Sequence, residues 1–90
     1  MARKRDWITR MVDLYHKLNL NIIYNATNVR EVLKKKCDDS ISLPTTIRLL
    51  ESIVKAQEEG LRFVVNGKRR KIIEKKTPND DSLYELVELD

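Results

Sequence analysis

The sequence predicts an α+β fold in which three helices are followed by a β-hairpin and a C-terminal strand. Apolar residues recur at three- and four-residue steps in three segments before residue 60, as in amphipathic helices. Asn66 and Gly67 then separate two β-like runs, and this pair favours a hairpin because both central residues of a type I′ turn need φ > 0. Residues 83–89 alternate in a way that suits a strand, although Leu83, Leu86 and Val87 would also suit a helical turn. We expect the strand, because a two-stranded hairpin alone is marginally stable.

The first predicted helix covers about residues 4–17. Its amphipathic stripe consists of Trp7, Ile8, Met11, Val12, Tyr15 and Leu18. We expect Trp7 and Tyr15 to be core aromatic residues. A short extended piece follows, in which Leu20, Ile22 and Tyr24 alternate with asparagines.

The second predicted helix begins near Thr27 or Asn28. Asn28 precedes Glu31 by three residues, which is the spacing of a capping box. The apolar face of this helix consists of Val29, Val32, Leu33 and Cys37. A turn of aspartates and serine at residues 38–40 ends it.

The third predicted helix has the clearest boundaries. Ser42 is a suitable N-cap, Pro44 is tolerated in a first turn, and Gly60 is a suitable residue just past the C-terminus. The residues that we expect to point inward step by four, three and four: Leu43, Ile47, Leu50 and Val54. The polar residues on the opposite side step by three, four and three: Thr45, Arg48, Ser52 and Lys55.

This polar face combines hydroxyls and cations without a carboxylate. Arginine and lysine contact phosphates or guanine edges, and serine and threonine contact either, so the face suits a nucleic-acid groove. The alternative interpretation is an ordinary solvated helix face.

Charge is unevenly distributed in this chain, whose formal net charge is +4. Residues 62–76 contain seven cations and one anion, whereas residues 77–90 contain five anions and no cation. Two basic segments are candidates for phosphate contacts: the hairpin residues Lys68, Arg69, Arg70 and Lys71, and the N-terminal arm of Arg3, Lys4 and Arg5. The alternatives are a charged edge strand that prevents aggregation and an arm that only adds solubility. The acidic segment 77–90 is expected to be solvated, to pair with a basic surface of the same fold, or to bind a partner.

The composition argues against several classes of protein. Ninety residues predict a single domain, residues 1–90, without a deep substrate cavity. His16 and Cys37 are the single residues of their types, and they offer neither zinc-ligand spacing nor a supported nucleophile–base pair. We therefore expect no enzyme, no metal and no cofactor. No apolar stretch approaches the roughly 18 residues of a membrane span, and the single cysteine fits a reducing interior, so the expected location is the cytoplasm.

The order of helix, short strand, helix, turn, helix and hairpin resembles the winged-helix family of helix-turn-helix proteins. The resemblance is carried by residues 25–36, the turn 37–41, the serine-led segment 42–50 and residues 56–71, within a region of about residues 5–89. It implies a DNA-binding transcriptional regulator whose third helix enters the major groove of double-stranded DNA, with Thr45 and Arg48 as base-reading candidates. The wing would be either the basic Asn-Gly turn or the loop at residues 77–82. In the second case the cations lie along a strand instead of at a tip.

A second class of function stays open at this point. A small adaptor or inhibitor, as phage and viral proteins often are, would bind a protein partner through the acidic segment, and a variant of the same fold would bind RNA. A homodimer is also expected, because one module of this size contacts few base pairs. The first helix, with Trp7 and Met11, and the C-terminal strand are the candidate dimer elements.

Overall fold

A four-stranded antiparallel sheet carries three helices on one face. The computed structural model describes residues 6–89. The helices are α1 (Trp7–Lys17), α2 (Ala26–Cys37) and α3 (Leu43–Glu58), and the strands are β1 (Ile23–Tyr24), β2 (Phe63–Val65), β3 (Lys68–Lys76) and β4 (Ser82–Leu89). The strand order is β1-β4-β3-β2. The predicted α+β class, with three helices, a hairpin and a C-terminal strand, is confirmed.

The core lies between the helices and the inner face of the sheet. Ile72 pairs with Leu86, and Tyr24 pairs with Tyr84, so alternate residues of three strands point to the same side. These side chains are buried together with residues of all three helices, among them Leu14, Leu33, Leu50 and Ile53. The remaining, alternate residues of β3 and β4 point to the outer face of the sheet, where their side chains are half-buried or exposed.

The hairpin turn has the geometry that the Asn-Gly pair predicts. Asn66 has a φ of 52° and Gly67 a φ of 80°, so both occupy the left-handed region of a type I′ turn. Val65 and Lys68 pair directly across this two-residue connection. The four cations that follow therefore lie along β3, and the longer connection between β3 and β4 is formed by residues 77–81.

Two helices begin at residues other than the predicted ones. α1 begins at Trp7 instead of near residue 4, because the Asp6 carboxylate caps it by accepting a hydrogen bond from the Thr9 N–H at 2.7 Å. α2 begins at Ala26 because Asn25 and Asn28 form the capping box, with N–H to side-chain oxygen distances of 2.7 and 3.3 Å. The predicted capping pair of Asn28 and Glu31 was wrong by one helical turn.

α3 has the predicted ends but a different buried face. Ser42 caps it, and Gly60 lies just beyond it with a φ of 110°. The buried residues are Thr46, Leu49, Leu50 and Ile53, whereas Ile47 is 38% exposed. The predicted inward orientation of Ile47 was therefore wrong. The Thr46 hydroxyl tolerates burial because it donates a hydrogen bond to the Ser42 carbonyl at 2.9 Å.

A hydrogen-bonded junction of Tyr15, Gln57 and Ile72 ties two helices to the sheet, and we call it the Gln57 junction. The Ile72 N–H donates to Gln57 Oε1 at 2.9 Å, and Gln57 Nε2 donates to the Ile72 carbonyl at 2.8 Å. The Tyr15 hydroxyl donates to the same Oε1. Because β2 pairs with β3 only as far as Arg70, the Gln57 amide takes the place of a strand partner for Ile72.

Replacing Gln57 with alanine is expected to lower the free energy of unfolding by about 2 kcal/mol, because the Ile72 backbone and the Tyr15 hydroxyl would be left without buried partners. Urea unfolding of wild type and variant measures this difference. Glu58→Ala, at the exposed neighbouring position, is the control and should change stability by less than about 0.5 kcal/mol. Equal destabilisation of the two variants would contradict the role of the junction.

Alkaline pH is expected to destabilise the fold through Tyr15. Burial raises the pKa of this phenol from 10.0 to about 12. Since the folded pKa is the higher one, the contribution of neutral Tyr15 is complete below pH 10 and is lost as the pH rises to about 12. Urea unfolding at several pH values in this range should show that the free energy of unfolding falls more steeply with pH for wild type than for Tyr15→Phe. Parallel declines would show that other groups cause the alkaline loss of stability.

Candidate nucleic-acid interface

The polar face of α3 forms one side of an open groove, and the beginning of α1 forms the other. The groove encloses about 490 Å³, and we call it the α3 groove. Its lining residues are Trp7, Thr45, Arg48, Glu51, Ser52 and Lys55. All four residues predicted for the polar face of α3 are therefore gathered in one concave surface.

The two cations of the α3 groove have free head groups. Arg48 and Lys55 are exposed, and within residues 6–89 neither side chain forms a hydrogen bond or an ion pair. The Thr45 hydroxyl accepts a hydrogen bond from Ser42 Oγ at 2.8 Å, so it takes part in the helix cap and keeps its own proton to donate. Ser52 is half-buried between the cations.

The α3 groove also contains a carboxylate, so the prediction of a face without one was wrong. Glu51 is exposed and lies three residues after Arg48 and four before Lys55. Both spacings allow ion pairs on a helix. In the described part of the chain, however, Glu51 is paired with neither cation. The groove therefore offers one separate negative group between two separate positive ones.

Trp7 is the aromatic residue of the α3 groove. It packs partly against the core, as predicted, but its accessible part faces the residues of α3. Tyr15 is fully in the core, where its ring stacks on Phe63 with centroids 4.4 Å apart. The sequence predicted the two aromatics to have the same role, but only Trp7 reaches the surface that α3 presents.

An ion pair joins α1 to the turn before α3. Arg10 donates to both carboxylate oxygens of Asp39, from Nε at 2.8 Å and from Nη2 at 3.1 Å. Asp39 is only 5% exposed, and its hydrogen bond raises the pKa of the Arg10 guanidinium. Bidentate pairs of this kind fix orientation as well as distance. The turn is thereby held against α1, which also supplies Trp7.

The four consecutive cations at the start of β3 have different surroundings because neighbouring residues of a strand point to opposite faces. Arg70 points toward the helices, where its Nη1 donates to the Tyr15 carbonyl at 2.9 Å, and its side chain is 17% exposed. Lys68 and Arg70 each lie 3.7 Å from the Glu88 carboxylate. Arg69 and Lys71 are on the outer face, and neither forms an ion pair with another described residue.

The acidic segment is largely part of the sheet. Its residues Glu85 and Glu88 lie in β4, where Glu85 pairs with Lys75 at 2.7 Å and Glu88 faces Lys68 and Arg70. Of the expected alternatives for this segment, pairing with a basic surface of the same fold is the one observed for these two residues. The aspartates of the 77–81 loop, Asp80 and Asp81, are exposed.

A second groove, of about 500 Å³, lies between α3 and the 77–81 loop, and we call it the acidic groove. It contains four carboxylates, those of Glu51, Glu74, Asp80 and Asp81. Burial, together with the nearby charges of Glu74 and Glu51, raises the pKa of Tyr84, which lies in its wall. The exposed ridge of α3 thus separates the α3 groove from a surface that is unfavourable for phosphates.

Two cations of α2 lie beside the turn that leads into α3. Arg30 and Lys34 line a shallow depression together with Ser40 and Ile41. Neither residue is among those predicted from the sequence to contact a nucleic acid. Their four-residue spacing, which places both on one side of a helix, was the signal that could have identified them.

Some sequence expectations concern other parts of the chain or other functions. The basic arm of Arg3, Lys4 and Arg5 lies outside the described residues. Between residues 6 and 89, no group of three or more His, Cys, Asp and Glu side chains is arranged to hold a metal ion. The helices of that region are all too short or too polar to cross a bilayer.

No protein-family model, curated protein or solved structure matches this chain. The assignment of a function therefore depends on the geometry and chemistry of these surfaces.

Arg70→Ala is expected to lower the free energy of unfolding by about 2 kcal/mol, because it leaves the Tyr15 carbonyl without its charged donor and Glu88 without one cation. Lys71→Ala, at an exposed position of the same strand, should lower the free energy of unfolding by less than about 0.5 kcal/mol. Thermal unfolding of both variants tests this difference. A stable Arg70→Ala protein would mean that Arg70 is as available for ligand contact as Lys71.

Proposed function

We propose that this chain is a winged-helix protein that binds double-stranded DNA, with α3 in the major groove, and that it acts as a transcriptional regulator. One observation carries the proposal. Arg48 and Lys55 are exposed and unpaired in the described structure, and they share an open groove with the hydroxyls of Thr45 and Ser52. These are the side-chain types that contact phosphates and base edges.

The dimensions of α3 support this placement. Thr45 and Lys55 are ten residues apart, which corresponds to about 15 Å along a helix axis. The major groove is about 12 Å wide and admits a helix. At about 3.4 Å per base pair, the polar face of α3 covers four to five base pairs.

The charges around α3 favour one side of the helix for the approach of a DNA duplex. Arg30 and Lys34 lie next to the turn before α3 and supply candidate phosphate contacts at its N-terminal end. The 77–81 loop, which is the longer candidate wing, adjoins the acidic groove on the other flank. We propose that the duplex approaches from the side of Trp7. Arg69 and Lys71 form no ion pair with a described residue, but they lie on the outer face of the sheet beside Leu89 and Val87, away from α3.

Dimerisation is part of the proposal, because four to five base pairs are a short recognition site. The outer sheet face supports a contact through the C-terminal strand. Leu83, Val87 and Leu89 alternate with the inner residues of β4 and share the outer face of the sheet with Glu85. A two-fold contact of these residues would join two copies through their sheets, on the side away from the helices.

The acidic groove supports a second candidate function, an adaptor that binds a basic protein segment. Its four carboxylates share the groove with Ile47, which is 38% exposed, and with one cation, Lys76. For this function, Asp80→Asn with Asp81→Asn would weaken partner binding, whereas substitutions of Arg48 and Lys55 would not.

Fluorescence anisotropy with a random-sequence DNA duplex, titrated across salt concentrations, tests the DNA-binding proposal. Wild type is expected to bind with a dissociation constant of about 1–100 μM and a steep salt dependence. The double variant Arg48→Ala/Lys55→Ala should bind more weakly and lower the logarithmic salt slope by about 0.9 for each phosphate that it no longer neutralises. A duplex RNA of the same length should bind more weakly than DNA, because a helix does not fit the deep, narrow major groove of RNA.

The matched control is Lys75→Ala, which removes a cation from the outer face of β3 that is already paired with Glu85. It should leave the affinity for DNA near the wild-type value. Absence of binding at low salt, or equal weakening by the control and the double variant, would contradict the proposal.

A further inference from the structure

The α3 groove contains two oppositely charged groups that are both free to contact bases. Arg48 and Glu51 are exposed, line the same groove and form no ion pair with each other. Three residues along a helix correspond to a rise of about 4.5 Å, which is little more than the roughly 3.4 Å between base pairs. The two side chains are therefore placed to reach neighbouring base pairs.

Each of these groups has its own preferred base edge in the major groove. Arginine donates two hydrogen bonds to O6 and N7 of guanine, and a glutamate carboxylate accepts a hydrogen bond from the N4 amino group of cytosine. A carboxylate also disfavours phosphates and acceptor-rich edges, because it has no proton to donate. Glu51 can therefore strengthen binding to a site with cytosine at one position and weaken binding to DNA that is not specific for sequence.

No described cation pairs with Glu51, although its charge helps to raise the pKa of Tyr84 in the acidic groove. Glu85 and Glu88 face lysine or arginine partners in the sheet, but Glu51 lies between two cations on its own helix without pairing to either. Its position at the ridge between the α3 groove and the acidic groove places it at the border of the proposed contact. A carboxylate at this border would repel the phosphates of a duplex that shifted across α3.

We propose that Glu51 is a specificity-determining residue that selects a cytosine next to the base pair contacted by Arg48. This inference rests on the proposed function. It goes further by naming the base, the accepting group and a residue that lowers non-specific affinity. The expected consequence is a binding site with adjacent G·C pairs.

The test compares wild type with Glu51→Gln, which keeps the size of the side chain and removes its charge. Glu58→Gln is the matched control, since Glu58 is an exposed residue of the same helix that lies outside the α3 groove. Selection from a random duplex library gives the base preference of each protein. Titrations then compare the selected duplex with one in which the cytosine pair is replaced.

We expect wild type and Glu58→Gln to select the same cytosine and to discriminate against its replacement by about tenfold. Glu51→Gln should lose that preference and should bind a random duplex more tightly than Glu58→Gln does. Trp7 is the single tryptophan of the chain, so a change in its emission on addition of the selected duplex shows that DNA occupies the α3 groove.

Three results would overturn the inference, and they differ from one another. Absence of DNA binding by all three proteins would remove the proposed function as well. Binding with identical base preferences for wild type and Glu51→Gln would remove the role of Glu51 alone. Binding without any change in Trp7 emission would place the duplex on another surface, such as the cations of β3.

Discussion

The attachment of α1 and α3 to the sheet depends on one side-chain amide. β2 is only three residues long, so the sheet edge is open where β3 continues past Arg70. Gln57 supplies both a donor and an acceptor to Ile72 and also accepts from Tyr15, so one residue of α3 joins α1, α3 and β3. Buried polar groups are costly unless all of them are satisfied, and a satisfied network therefore favours a single arrangement. The face that α3 turns to solvent follows from this constraint.

The sheet neutralises part of the charge that is most conspicuous in the sequence. Glu88 faces Lys68 and Arg70, and Glu85 faces Lys75, so three cations of the basic segment pair with two carboxylates of the acidic segment. Cross-strand pairs of opposite charge stabilise neighbouring strands. The cations that remain without an ion pair in the described residues include Arg48 and Lys55 on α3 and Arg69 and Lys71 on the outer side of β3. A run of like charges in sequence therefore need not give a charged surface.

Local signals predicted most of the fold, whereas contacts between distant residues determined the site. The Asn66-Gly67 turn, the Ser42 cap and the end of α3 at Gly60 follow from backbone preferences that a few neighbouring residues set. The rotation of α3 was predicted incorrectly at Ile47, because two apolar stripes fit its pattern and packing on the sheet selects between them. The contribution of Trp7 to the α3 groove and the pairing of Arg10 with Asp39 join residues that no local pattern relates.

The separation between the two sides of α3 has a consequence for how such a protein evolves. Arg48, Glu51 and Lys55 are exposed and unpaired in the described structure, so exchanging them costs the fold little. The residues that hold the helix in place lie on its other side. Mutations at these three positions can therefore accumulate almost neutrally with respect to folding, and a lineage can acquire a new ligand preference without first acquiring extra stability.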